Sequence, residues 1–84
     1  MNIGIGNNRW IKFSRDVNGA WRGRGHGYRF QVARSATQWH CTVWLLGGRN
    51  PILSCTSHKL KAAIQEGARL ADDMTVELEL SCPT

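Results

Sequence analysis

The segment Arg22-Gly23-Arg24-Gly25-His26-Gly27 alternates arginines with glycines. A guanidinium group matches phosphate oxygens bidentately. Glycine lets a chain follow a phosphodiester backbone closely, and each such contact is salt-dependent. A mobile hairpin arm with solvated arginines accounts for the same six residues, so the segment alone does not decide. Trp44 and Arg29 sharpen the chemistry. A flat aromatic beside guanidinium groups suits base stacking with phosphate contact. It equally suits an aromatic/arginine hot spot in a protein interface. The candidate binding residues are therefore Arg22, Arg24, Arg29 and Trp44, with Arg15, Arg34, His40 and Arg49 in support.

Other chemistry finds less support. His40, Cys41, Cys55, His58 and Cys82 could each ligate a metal, and Cys55-x-x-His58 has ligand-like spacing. No second C-x-x-C or H-x-x-x-H completes a tetrahedral set, so no metal and no cofactor are expected. Buried thiols packed as small apolar groups explain Cys41 and Cys55 more simply. A Cys–His nucleophile needs an exposed thiolate and a positioned base, whereas both cysteines fall among apolar neighbours. The carboxylates are few and lie in a turn, on a helix and on the polar face of an alternating segment. No catalytic residues are assigned and an enzyme is not expected.

Three strands that could position these groups are read from apolar/polar alternation: Tyr28–Arg34, Trp39–Leu46 and Pro51–Thr56. If Arg34 pairs with Trp39, then Val32 faces Cys41, Phe30 faces Val43 and Tyr28 faces Leu45. A three-residue turn at Gly47–Arg49 sets Cys41 opposite Cys55 and Val43 opposite Leu53. Both registers put one apolar set on one face, and a slip by one residue in either breaks that agreement. The opposite face then carries Arg29, Trp44 and Ile52 in one row. Gln31, Thr42 and Ser54 form the next, and Ala33, His40 and Thr56 the third. That surface is free only if nothing folds over Trp44.

Before this unit, residues 1–8 are rich in glycine and asparagine and read as loose. Arg9–Ser14 reads as a strand, with an Asn18-Gly19 hairpin signal after it. The return arm Ala20-Trp21-Arg22 dissolves into the Gly/Arg segment, which reads as a bulge or loop. A helix is expected from Thr56 or Ser57, either of which can cap it. Leu60, Ala63, Ile64, Gly67, Ala68, Leu70 and Ala71 share its apolar arc, and Gly67 implies close approach to the sheet. The helix is expected to stop near Asp72-Asp73, although acids are unfavourable at a helix C-terminus. Met74–Leu80 alternates with period two and reads as a last strand. It could lie parallel beside Pro51–Thr56, antiparallel beside the first strand, or pair with another subunit as a homodimer.

Eighty-four residues make a single small domain spanning 1–84. The net charge of +5 is unevenly spread: residues 1–50 hold eight Arg/Lys against Asp16 alone, whereas residues 51–84 hold three bases against five acids. A basic surface favours polyanions or an acidic protein, and ordinary solubility is the competing account. Three cysteines without a C-x-x-C pair do not read as a secreted disulfide framework. No signal peptide and no membrane span are read, so a cytoplasmic protein is expected, in the host cytoplasm if phage-encoded.

The order of strands followed by a helix, with a Trp-x-x-x-Val strand ahead of a Ser/Thr-capped, Ala-rich helix, covers roughly 28–71. It resembles the arm-type DNA-binding domains of tyrosine integrases and, more broadly, antitoxin domains of partial ribonuclease-H shape. The Arg-Gly segment resembles those of RNA-binding tails. A short, basic, Trp-rich chain also looks like the accessory proteins of phages and mobile elements, among them anti-CRISPR proteins. These resemblances imply DNA or RNA binding or antagonism of a host complex, and carry no residue assignments. The expected fold is α+β: an antiparallel meander of about four strands packed on one helix, with a C-terminal strand joining the sheet. The expected function is non-enzymatic binding of nucleic acid or a nucleoprotein complex, without membrane contact. The alternative is a protein–protein inhibitor of a host defence complex.

Overall fold

The computed structural model describes residues 1–6 and 8–81, with side chains given as far as Thr75. Chain order is β1 (Asn2–Gly4), β2 (Trp10–Arg15), β3 (Trp21–Gly25), β4 (Tyr28–Ser35), β5 (Gln38–Leu45), β6 (Leu53–Ser57) and α1 (Leu60–Ser81). The six strands pair antiparallel in sequence order as one meander. The sheet curls into a half-barrel: α1 packs on β4, β5 and β6 and also meets β1 from the far edge, while β2 and β3 arch away from it. The fold is α+β.

Both expected registers are present. Val32 faces Cys41, Phe30 faces Val43 and Tyr28 faces Leu45; Cys41 faces Cys55 and Val43 faces Leu53. Phe30, Val32, Cys41 and Val43 are fully buried and meet Ala63, Ile64, Ala68 and Ala71 of α1. The helix comes close because Gly67 has no side chain. A Cβ there would stand 3.0 Å from Cys41 Sγ and 3.2 Å from Val43 Cγ2. The helix begins at Leu60, later than expected. Thr56 and Ser57 end β6, and Ser57 Oγ accepts from the Lys59 N–H at 3.4 Å.

The sheet has six strands where about four were expected. The segment 1–8 contributes β1, whose Ile3 pairs with Ile11; Ile3 and Ile5 are both buried. The Gly/Arg segment is no loop. Trp21-Arg22-Gly23-Arg24-Gly25 is β3, followed by a two-residue turn in which His26 and Gly27 have φ of 52° and 85°. Two consecutive positive φ values match the twist of a tight hairpin. In β3 the glycines take the inward positions and the arginines the outward ones. A Cβ on Gly23 would meet Phe13 Cδ2 at 2.9 Å, Ile11 Cγ2 at 3.0 Å and the Lys12 carbonyl at 3.0 Å. Phe13 and Phe30, from the strands on either side, fill that space with ring centroids 5.9 Å apart. The preceding hairpin turns where Asn18-Gly19 indicated, but only Gly19 takes positive φ, at 84°. Asp16 Oδ1 organises this turn by accepting from the Asn18 and Ala20 N–H groups at 2.8 and 3.0 Å.

The largest correction concerns Met74–Leu80, which continues α1. Among the described residues no C-terminal strand joins the sheet, and the segment expected to seal a homodimer is helical. Asp72-Asp73 therefore sits within the helix, away from the terminus that the macrodipole disfavours for acids. Asp72 has a positive role there. Arg9 makes a bidentate ion pair with its carboxylate, and the Tyr28 hydroxyl lies 3.1 Å from Asp72 Oδ1 and 3.0 Å from Thr75 Oγ1. This cluster fastens the connection ahead of β2, the start of β4 and the second half of α1 to one another.

Gly23→Ala is expected to lower unfolding stability by about 1–3 kcal/mol through overpacking, against the gain usual for Gly→Ala at an extended site. Urea unfolding checks this, and an unchanged midpoint would show that the Phe13 ring yields freely. A second expectation concerns pH. The Arg9 guanidinium holds the Asp72 carboxyl below its ordinary range. A depressed folded-state pKa gives stability that is complete above the unfolded value of about 4 and is lost as pH falls through the folded value. Thermal melts from pH 6 down to pH 2.5 should show a smaller acid-induced drop in Asp72→Asn than in the wild-type chain.

Candidate functional site

Strand alternation divides the sheet cleanly. Ile11, Phe13, Tyr28, Phe30, Val32, Cys41 and Val43 point to the concave side and are buried. Between them, Lys12 and Ser14 of β2, Arg22 and Arg24 of β3, Arg29 and Gln31 of β4, and His40, Thr42 and Trp44 of β5 occupy the convex face. Arg24 stands directly opposite Arg29, Arg22 opposite Gln31, and Arg29 opposite Trp44. One step along from the Phe13–Gly23 pair, Lys12 comes beside Arg24. Lys12, Arg24, Arg29 and Trp44 thus form one row across four adjacent strands, each about 5 Å from the next.

The Arg29 guanidinium carbon lies 4.7 Å from the centre of the Trp44 ring, within cation–π range. Trp44 is half-buried beside Arg29. Among the described residues nothing crosses this face, because α1 packs on the concave side. Ile52 does not complete the row as expected, since β6 pairs only from Leu53 and Ile52 packs against the core. Three shallow hollows adjoin one another here. The first, about 300 Å³, is lined by Lys12, Ser14, Arg22, Arg24 and Arg29. The second, about 210 Å³, lies between Arg22, Arg29, Gln31 and Trp44. The third, about 460 Å³, runs from Arg22 and Gln31 to Arg15, Arg34 and Trp39. Arg22 lines all three.

The candidates named from sequence separate into groups. Arg22, Arg24, Arg29 and Trp44 are brought together on the convex face, and Arg22 also pairs with Asp16 at 3.3 Å. Arg15 and Arg34 have core-side parity but lie at strand ends, where they are exposed; the Arg34 guanidinium stands 5.9 Å from the Trp39 ring centre. His40 is on the convex face opposite Ala33, away from the cationic row. Arg49 is exposed in the connection between β5 and β6 and lines none of the three hollows. Sequence reading missed Lys12, Trp39 and Trp10, the last 64% exposed at the outer start of β2. The alternation of Trp10 and Lys12 with Ile11 and Phe13 was the available signal.

Five of the six acids lie on α1, on the other side of the sheet. Among the described side chains, Lys12, Arg24 and Arg29 have no carboxylate partner. The two described thiols, Cys41 and Cys55, are free, and burial pushes the Cys41 thiol up to about 12. Cys55 Sγ donates to the Ala63 carbonyl at 3.4 Å. His40 lies on the opposite face from Cys41 and Cys55, and among the described residues no group of three His, Cys, Asp or Glu is placed to hold a metal. Cys82 lies outside the described residues. Among the described residues, no helix is long and apolar enough to cross a membrane.

No protein-family model, curated protein or solved structure matches this chain. The site is therefore read from its own chemistry. Like charges directly opposite on a sheet destabilise it by roughly 0.2–1 kcal/mol. Arg24→Gln is accordingly expected to raise the melting temperature slightly at low salt, and the gain should shrink at 1 M salt, where exposed charges are screened. A lower melting temperature at low salt would show that the Arg24–Arg29 pair is not repulsive.

Proposed function

We propose that the protein is a non-enzymatic nucleic-acid-binding module that acts on nucleic acid or a nucleoprotein complex through its convex face. The observation that carries this reading is the row Lys12–Arg24–Arg29, set in register with an arginine directly opposite an arginine and without carboxylate neutralisation. Such an arrangement disfavours the folded state on its own and is relieved when an anion bridges the cations. Arg22, Arg24, Arg29 and Lys12 contact phosphates, while Trp44 and the guanidinium above it meet a base. Arg15 and Arg34 extend the contact at the rim, with His40 and Arg49 further out. Glu66, Asp72 and Asp73 lie on α1, on the other side of the sheet, so the molecule approaches a polyanion convex side first. Burial of Cys41 and the ion pairing of the described carboxylates Asp16, Glu66, Asp72 and Asp73 favour binding over catalysis.

A second reading rests on a different observation. Leu46, two residues beyond Trp44 just past the end of β5, is 49% exposed. An arginine-flanked tryptophan with adjoining aliphatic surface fits a protein hot spot, as in an inhibitor of a host defence complex encoded by a phage or mobile element. One titration separates the two readings. Labelled nucleic acid is expected to bind at low salt, and log Kd should shift with log salt with a slope magnitude of about 2–4 for three or four neutralised phosphates. Absence of binding at low salt would remove the nucleic-acid reading and leave the protein-partner one.

A further inference from the structure

We infer that the nucleic acid taken by this face is a single strand, its backbone along the Lys12–Arg24–Arg29 row and one base seated on the Arg29–Trp44 stack. The inference rests on the nucleic-acid reading above and narrows it to one class of substrate. Its first support is the shape of the cationic array. Lys12, Arg24 and Arg29 make one line across adjacent strands, which matches one phosphodiester backbone. Along β3, Arg22 and Arg24 repeat at about 7 Å, comparable with the step between phosphates of an extended strand. A duplex presents two backbones flanking a groove. The convex side of a half-barrel curves away from such a groove and carries no second line of cations among the described residues.

The second support is the stack itself. Trp44 holds the Arg29 guanidinium 4.7 Å above its ring, so that plane is fixed before any ligand arrives. Its outer side is open, since Arg29 is exposed. A guanidinium plane backed by an indole can stack on a base while its edge N–H groups reach phosphate. Paired bases in a duplex are already stacked on one another and leave this platform without a partner. Because Arg29 is pre-positioned, binding loses less side-chain entropy there than at a free arginine.

The third support is continuity. The hollow beside Trp44 shares Arg22 and Arg29 with the one lined by Lys12, Ser14 and Arg24, so the cationic row leads directly to the stack. From Lys12 to Trp44 the row crosses three interstrand steps, about 15 Å in all, or roughly two to three steps of an extended strand. A strand long enough to cover the row gains every contact, and a shorter one does not.

The test uses the whole chain with labelled oligo(dT) and oligo(rU) of two to twelve nucleotides, and twelve-base-pair DNA and RNA duplexes, all at low salt. The expected result is single-strand affinity at least tenfold above that for the duplex of the same sugar, rising steeply up to about three or four nucleotides and slowly beyond. Two charge-conserving variants probe the stack: Arg29→Lys should lose about tenfold in single-strand affinity, in line with one stacked base, while Arg24→Lys changes it less than twofold. Both positions are exposed, and a thermal melt of each variant verifies folding. A duplex bound as tightly as the single strand, equal losses in the two lysine variants, or affinity without a rise before four nucleotides would each overturn the inference while leaving nucleic-acid binding in place. Failure of every oligonucleotide to bind the wild-type chain would instead overturn the reading on which it rests.

Discussion

The pairing of β4 with β5 decides what every other part of this molecule can do. Eight cross-strand pairs run from Tyr28–Leu45 to Ser35–Gln38. They send Phe30, Val32, Cys41 and Val43 to one side and Arg29, Gln31, Thr42 and Trp44 to the other. The apolar side offers α1 a seat, and the polar side places an arginine over a tryptophan. A slip of one residue would exchange the two sets, exposing the core and burying the cations at once. Core packing therefore fixes the register of the surface, and the surface site carries no separate specification of its own.

Small residues transmit that constraint outward from β4 and β5. At Gly67 the helix comes near enough to touch Cys41 and Val43, closing the concave side. At Gly23 the missing side chain leaves room for Phe13 and Phe30 to approach each other across the width of β3. Both glycines bring bulkier neighbours together, and neither is used for a turn. The helix fills the concave side along β4, β5 and β6, and among the described residues their convex side stays uncovered. The helix carries most of the acids and so separates the charges across the sheet.

How much of this was legible in the sequence depends on how many independent patterns met at one place. The registers at Cys41 were legible because two hairpins had to agree on the same apolar set. β3 was not, because its inward residues are glycines, and alternation with glycine gives no apolar signal while resembling a loop. The end of α1 was misread because Met74-Thr75-Val76-Glu77-Leu78-Glu79-Leu80 fits a period of two over seven residues. The longer pattern pointed the other way: positions 60, 64, 67, 71 and 74 follow the four-three spacing of one helical face. Methionine, glutamate and leucine are also strong helix formers. The unfavourable dipole position assigned to Asp72-Asp73 was itself a sign that the helix continues. The partners of Asp72 could not be read at all, since Arg9 and Tyr28 lie 63 and 44 residues away in sequence. At the candidate site, the Arg29–Trp44 pair was legible from register, whereas Lys12 needed a parity assignment in β2 and Arg22 and Arg24 needed β3 to be a strand.

That last difference changes the physical character of the site. On a flexible arm, Arg22 and Arg24 would adapt to any phosphate geometry but lose conformational entropy with each contact. In β3 they stand on an interior strand bonded on both sides, to β2 and to β4. β3 itself offers little side chain to the core between Trp21 and Gly25, so its position depends on those two ladders. The cations are consequently held at fixed spacing by backbone hydrogen bonds, and part of the ordering cost is met on folding. The same rigidity holds Arg24 against Arg29 and keeps their repulsion in the free protein. A fixed line of cations gains most from an anion whose charges repeat at a matching spacing, and this is the physical basis of the proposed preference for a regular polyanion over scattered acidic side chains.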